Sequence, residues 1–298
     1  MTNEEYRAAF DRYRRLTENE LTRLFAVEGQ CIYPRLREAM YYSLDAGGKR
    51  IRPCLVLAVC EMLGGDVQNA LPLACGLEMI HTYSLIHDDM PGMDNDDMRR
   101  GRPSNHKVFG EGIALLAGDG LLSFAAEVML NAAIDSKDPG VLMGAREIIR
   151  LSGASGMLTG QASDKMNENA PSVSPSVLDY VHKHKTADML EAAVIAGAYA
   201  AHADVAVIKA LRSYSYKMGL LFQITDDLLD VLGDEKAMGK TLGKDKEEGK
   251  LTFVTIYGID GAMACARMAA EEAKECLSCV PGSGILSTFI DEMLNRNR

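Results

Sequence analysis

Between its turn-forming residues the chain repeats apolar positions at three- and four-residue steps, and no stretch sustains a period-two alternation. Over 204–232, Leu211, Tyr214, Met218, Leu221, Leu228 and Leu232 follow that spacing and predict one long helix. Gly47-Gly48, Gly64-Gly65, Pro91-Gly92, Asp138-Pro139-Gly140, Ala170-Pro171 and Pro281-Gly282 interrupt the pattern as turns, leaving about ten helices of ordinary length. The predicted fold class is all-α. No Pro- or Ser-rich linker divides the chain, although 170–176 reads as a surface loop, so a single domain over 1–298 is expected.

Composition narrows the function. Hydrophobic residues at 47% supply an extensive core. The net charge of −10 speaks against nucleic acid as a partner, because such binders need a basic face to displace counterions. Any anionic substrate has to be held by local cations. The N-terminal segment mixes both charge signs without a signal-peptide core, and no apolar run approaches the roughly 18 residues of a membrane span, so a cytoplasmic protein without stable membrane insertion is expected. Seven cysteines, mostly single within apolar stretches, read as reduced core thiols, and the lone Cys276-Cys279 pair reads as helix thiols rather than a metal site. The seventeen methionines read as packing residues.

Two acidic clusters stand out, Asp88-Asp89 with Asp94, and Asp226-Asp227 with Asp230, each following a long apolar helical stretch. The second half of the 204–232 helix is apolar nearly all round, which predicts a path through the interior. Asp226 and Asp230 lie about 40° apart on that helix, and carboxylates so placed repel unless a cation joins them. In an unbroken helix Asp88 and Asp94 would stand about 120° apart, but Pro91-Gly92 ends the helix and can swing Asp94 back. Oxygen-only ligands suit Mg²⁺ completed by phosphate oxygens and water. A calcium loop opening at Asp94 is disfavoured, since Arg99 and Asn105 fall where an EF-hand needs glycine and glutamate.

Cations flank these carboxylates. Lys49, Arg50 and Arg52 follow a glycine turn, Arg99, Arg100 and Arg102 follow the first cluster, and Lys185-Thr186, Lys240 and Lys250 come later. Guanidinium forks match phosphate oxygens in pairs, whereas lysine supplies a mobile point charge. Lys244 and Lys246 read as a solvated run. His81 in its apolar helix reads, on pattern alone, as a core histidine, and His182 and His184 as loop or helix-surface residues.

With GGKRIRP at 47–53, IHDDMPGMDNDDMRRGRP within 77–111, GQASD at 160–164, HKTADML at 184–190, FQITDDLLDVLGD at 222–234 and GKTLGKD at 239–245, the chain resembles the trans-polyprenyl diphosphate synthase family over nearly its whole length. It is similar in particular to the bacterial-type farnesyl diphosphate synthases and their geranylgeranyl relatives. The resemblance implies an isoprenoid synthase helical bundle around a central cavity, a homodimer, and three Mg²⁺ ions with diphosphate bound. It assigns Asp88, Asp94 and Asp226 to the metals, with Asp89 and Asp230 beside them. It gives Arg99, Lys185 and Lys240 to the allylic diphosphate, with Lys250 as a further substrate contact, and Lys49, Arg52, His81 and Arg100 to isopentenyl diphosphate. Thr186 and Gln223 would face the ionising carbon, where oxygen dipoles stabilise an allylic cation.

The implied reaction is Mg²⁺-assisted ionisation of an allylic diphosphate (dimethylallyl or geranyl), attack by the isopentenyl double bond, and proton loss. Tyr83, about 7.5 Å before Asp88 along the helix, with Ser84 beside it, is the candidate floor that stops growth at C15. A C20 product is the alternative. A class I terpene cyclase would need neither Lys49 and Arg52 nor a second acidic cluster, and intact clusters argue against a non-catalytic subunit.

Overall fold

The helix predicted over 204–232 is observed as Val205–Leu232 in a computed structural model that describes residues 1–26, 32–167, 174–232 and 252–296. Among the described residues there are thirteen α-helices: α1 (Asn3–Ala26), α2 (Pro34–Leu44), α3 (Ile51–Met62), α4 (Val67–Asp88), α5 (Asn105–Phe109), α6 (Glu111–Ser136), α7 (Pro139–Ser152), α8 (Met157–Asn167), α9 (Pro175–Val181), α10 (Asp188–Ala200), α11 (Val205–Leu232), α12 (Phe253–Cys276) and α13 (Gly284–Leu294). A π-helical turn, His182–Ala187, joins α9 to α10. One feature the pattern did not signal is a two-residue antiparallel ladder, β1 (Met98–Arg99) with β2 (Arg102–Pro103), within the arginine loop. Lys240, Lys250, Ala170-Pro171 and Cys31 lie outside the described residues.

Several boundaries follow from local chemistry. Asp66 caps α4 by accepting from Gln68 N at 2.9 Å, and Asp138 caps α7 by accepting from Gly140 N at 2.7 Å, with Pro139 opening the helix. Thr252 and Thr255 form a reciprocal capping box at the start of α12.

The core is organised around α10, whose residues from Met189 to Ala198 are buried apart from Glu191. It packs against α3, α4, α7 and α11, so the two helices carrying the aspartate clusters flank one shared helix. Small residues set these approaches. A methyl on Gly197 would lie 2.4 Å from Val56 O of α3, and one on Gly219 would lie 2.3 Å from Ala187 Cβ. Gly219 thus seats α11 against the π turn, while Gly160 of α8 does the same from the other side, where a Cβ would meet Lys185 N at 2.2 Å.

Contrary to the expectation that no apolar run approaches membrane-spanning length, α6 is long and apolar enough to do so, with a mean hydropathy of 1.7 over its best window. It packs against α4 in the bundle, and its opposite side exposes Leu116 (52%), Leu130 and Ile134 (68%).

Because Gly219 leaves no room for a methyl, Gly219→Ala is expected to lower unfolding free energy by about 1–3 kcal/mol, read from urea denaturation. It should also reduce turnover by displacing the π turn.

Candidate active site

The first cluster is built by a chain reversal. Helix α4 ends at Asp88, and after Pro91-Gly92 the loop returns so that Asp94 N donates to Asp88 O at 2.8 Å. Asn95 takes a left-handed conformation (φ 51°) as the loop turns. This is the return of Asp94 toward Asp88 that the Pro91-Gly92 break allows. Helix α8 then braces the pair through residues three and four apart on one face. Gln161 Nε2 donates to Asp88 Oδ1 at 2.7 Å, Lys165 Nζ donates to Met93 O at 2.6 Å and lies 3.7 Å from Asp94 Oδ1, and Asp164 accepts from Lys185 Nζ at 2.5 Å.

Burial pushes the Asp88 carboxyl up to about 6, the charges of Asp94 and Asp89 add to this, and the nearby cations of Lys185 and Arg99 oppose it. Asp88 and Asp94 are therefore an acidic pair only partly offset by Lys165 and Lys185, with exposed Asp94 open to solvent. Asp89 differs: it is buried and gripped by Arg99, whose Nε donates to Oδ1 at 2.9 Å and whose Nη2 bonds the same carboxylate.

The second cluster divides its labour. Asp227 is buried, and its Oδ2 accepts from Phe253 N at 2.7 Å, holding the N-terminus of α12. Asp226 is exposed and Asp230 half-buried, which corrects the expectation of an interior path for both carboxylates. The apolar sequence around them misled because the end of α11 is not wholly interior, with Val231 and Leu232 about half exposed. Gln223, three residues before Asp226 and so on the same face, is half-buried.

Between the clusters lies the π turn, whose wide backbone bond runs from Asp188 N to Lys183 O. It packs against both α8 and α11, and it carries Lys185 and Thr186, both half-buried. His184 Nδ1 and Asp188 Oδ2, 2.8 Å apart, brace the turn, giving this histidine a structural partner.

A cation group completes the arrangement. Arg52 Nη1 is 3.3 Å from His81 Nε2, and Arg100 reaches back to Gly47 O. Burial, reinforced by Arg52 and Arg100, keeps His81 well below its ordinary pKa and hence neutral. Asp226 acts electrostatically on both Lys49 and Arg52, so the second acidic cluster and this cation group share one neighbourhood. Arg296, which sequence reasoning missed, stands over the Phe222 ring at 5.4 Å and opposes the charge of Lys49.

The predicted residues thus fall into two adjoining groups, Asp88, Asp94, Arg99 and Lys185 in one, and Asp226, Lys49, Arg52, His81 and Arg100 in the other. Gln161, Asp164 and Lys165 were not singled out, although their polar spacing of three and four residues in GQASDK was a visible signal. Tyr83 is 4% exposed and meets the His87 ring edge-on at 5.7 Å, and Ser84 Oγ donates to His81 O at 2.9 Å. The donor set fits Mg²⁺: hard carboxylate oxygens, a few per cluster, which suits an ion that retains water and takes phosphate oxygens.

Comparison with known proteins bears on this arrangement. A family profile described as polyprenyl synthetase matches residues 33–278, and the chain belongs to that family. It is a prenyltransferase. It is similar to a farnesyl diphosphate synthase of Geobacillus stearothermophilus, 43% identical over 87% of this chain and 88% of that one. It is also similar to a geranylgeranyl diphosphate synthase of Cyanophora paradoxa, 41% identical over 87% of each chain. Among solved structures, a geranyltransferase from Legionella pneumophila superposes with a TM-score of 0.86 at 32% identity, covering 99% of this chain and 98% of that one.

A raised carboxyl pKa makes a stability prediction. The folded state binds the Asp88 proton more tightly than the unfolded chain, whose carboxyl keeps the ordinary value of 3.8, so ionisation weakens the fold as pH rises from 3.8 through about 6. Asp88→Asn, which keeps an oxygen for Gln161, should stabilise the metal-free protein by roughly 1–3 kcal/mol at pH 7. Thermal unfolding without divalent ions should show that gain at pH 7 and lose it near pH 4.

Proposed function

We propose that this chain joins isopentenyl diphosphate head to tail (1′–4) to dimethylallyl and geranyl diphosphates, giving farnesyl diphosphate. The observation that carries this reading is the folded-back Asp88–Asp94 pair, flanked by Lys185 and Arg99 and adjoined by the separate cation group of Arg52, His81 and Arg100. Two anionic substrates call for two such groups, one whose carboxylates can take metal and one whose arginines can meet a diphosphate directly.

In this reading Asp88, Asp94 and Asp226, with Asp89 and Asp230 near them, hold Mg²⁺. When bound, the Mg²⁺ ions neutralise charge on the leaving diphosphate. Arg99 and Lys185, together with Lys240 and Lys250, orient the allylic diphosphate, and Lys49, Arg52, His81 and Arg100 hold the isopentenyl one. The allylic C1–O bond breaks with its electron pair leaving on diphosphate. The isopentenyl double bond then attacks C1, a carbon–carbon bond forms, and a C2 proton passes to the released diphosphate. Thr186 and Gln223 present oxygen dipoles to the intermediate cation, while the apolar flank of α4 limits water access.

A farnesyl product is favoured over geranylgeranyl by Tyr83, a large buried ring one helical turn and more before Asp88 on α4. A homodimer is supported by α6, where Leu116, Leu130 and Ile134 repeat at heptad-compatible spacing on an exposed side.

The direct test is product chromatography after incubating the purified chain with isopentenyl diphosphate and each of the C5, C10 and C15 allylic partners. C15 should be the main product from the C5 and C10 partners with Mg²⁺, the C15 partner should stay unextended, and nothing should form after chelation. Tyr83→Ala should shift the main product to C20 or longer, and an unchanged C15 output would remove Tyr83 as the floor. Leu130→Glu/Ile134→Glu should sediment at 32.4 kDa, against a wild type of twice that mass.

A further inference from the structure

Arg50 interrupts the cation group in an unusual way. It sits between Lys49 and Arg52 in sequence, yet its side chain enters the core, where it is 3% exposed. There its Nη1 donates to Glu78 Oε1 at 2.6 Å, and Glu78 is itself 2% exposed. Nη2 donates to Leu44 O at the end of α2, and Nε lies 3.7 Å from Glu18 Oε1 of α1. One guanidinium thereby ties α1, α2 and α4 to the first residue before α3. Its backbone is left-handed (φ 49°, ψ 37°), a conformation a non-glycine residue holds only when its surroundings enforce it.

The same turn is held from the opposite side. Arg100 donates to Gly47 O, and its guanidinium packs so closely on Gly48 that an added Cβ would lie 3.0 Å from Cζ. The segment from Gly47 to Arg52 is thus clamped between Arg50 in the core and Arg100 against Gly47 and Gly48. Glu78 precedes His81 by three residues on α4, so the carboxylate that anchors Arg50 stands on the same helix face as the imidazole beside Arg52. Its charge also acts on Arg52 and Arg100, opposing the loss of charge that burial imposes on both.

A buried ion pair is a poor source of net stability, because desolvation offsets its attraction, and apolar pairs of similar volume commonly replace it without loss. Geometry gives this pair a different use. We infer that Arg50 and Glu78 are positioning residues for the isopentenyl diphosphate pocket: their bond fixes the Gly47–Arg52 turn so that Lys49 and Arg52 converge with His81 and Arg100 on one diphosphate. This inference rests on the reading of those four residues as that pocket.

The test is steady-state kinetics on Arg50→Met/Glu78→Leu, which removes both charges together, and on Glu78→Gln, which keeps an acceptor for Arg50 while removing the charge. In each, the KM for isopentenyl diphosphate should rise roughly tenfold to hundredfold, while the allylic KM and kcat at saturation stay within about threefold. Equal rises in both KM values, or an unchanged isopentenyl KM, would overturn the inference. Lys49→Ala serves as the reference. If it too leaves the isopentenyl KM unchanged, the pocket assignment fails and takes the inference with it. A rise in Lys49→Ala without one in the Arg50 and Glu78 variants defeats the positioning role alone. Should the double variant not fold, Glu78→Gln decides the outcome by the same KM comparison.

Discussion

The burial of the Asp88 carboxylate beside a second acidic residue, Asp94, is the constraint on which the site depends. A backbone bond from Asp94 to Asp88 O forces the two together at the end of α4, where burial lifts Asp88 and its acidic neighbours lift it further. Nothing about folding alone favours such an arrangement. The reversal at Pro91-Gly92, the brace from Gln161 and Lys165, and the π turn that brings Lys185 near all act to keep an acidic pair poised for a cation. A fold that stores unfavourable charge where a ligand will relieve it gives up stability for binding.

The cations around the clusters are arranged by the same logic. Arg99 is committed to Asp89, and Lys185 to Asp164, so each enters the site already oriented by a carboxylate. Arg52, His81 and Arg100 instead crowd one another, with Glu78 as the buried counter-charge, and a neutral His81 lets the group assemble without a further positive charge. Under the proposed function such a group takes an anion. Helix α10, packed against α3, α4, α7 and α11, is the rigid support that holds these positions relative to one another.

Much of this was legible in the residues. Periodicity found α11 to within one residue, and Pro91-Gly92 marked the place of the fold-back because a proline followed by glycine just past an apolar helical run disfavours its continuation. The acidic and basic motifs were readable because charge in an apolar stretch demands a partner. What stayed hidden depended on neighbours distant in sequence. An apolar surround could not tell that Asp226 is exposed, nor that Asp227 would be taken by the amide of Phe253, 26 residues on. The π turn left no mark in the periodicity, since one extra residue per turn is enforced by packing against Gly160 and Gly219. Arg50 looked like one more phosphate cation beside Lys49 and Arg52. Only the position of Glu78 shows that it points into the core.

The central claim is that carboxylates of both clusters bind one diphosphate through shared divalent ions. It is tested most directly by calorimetric titration of a non-ionisable allylic diphosphate analogue into wild type, Asp88→Asn and Asp226→Asn, each with and without Mg²⁺. The account predicts tight binding to the wild type only with Mg²⁺, and loss of that Mg²⁺-dependent increment in either variant alone. Retention of the full increment in one of the two variants would contradict it.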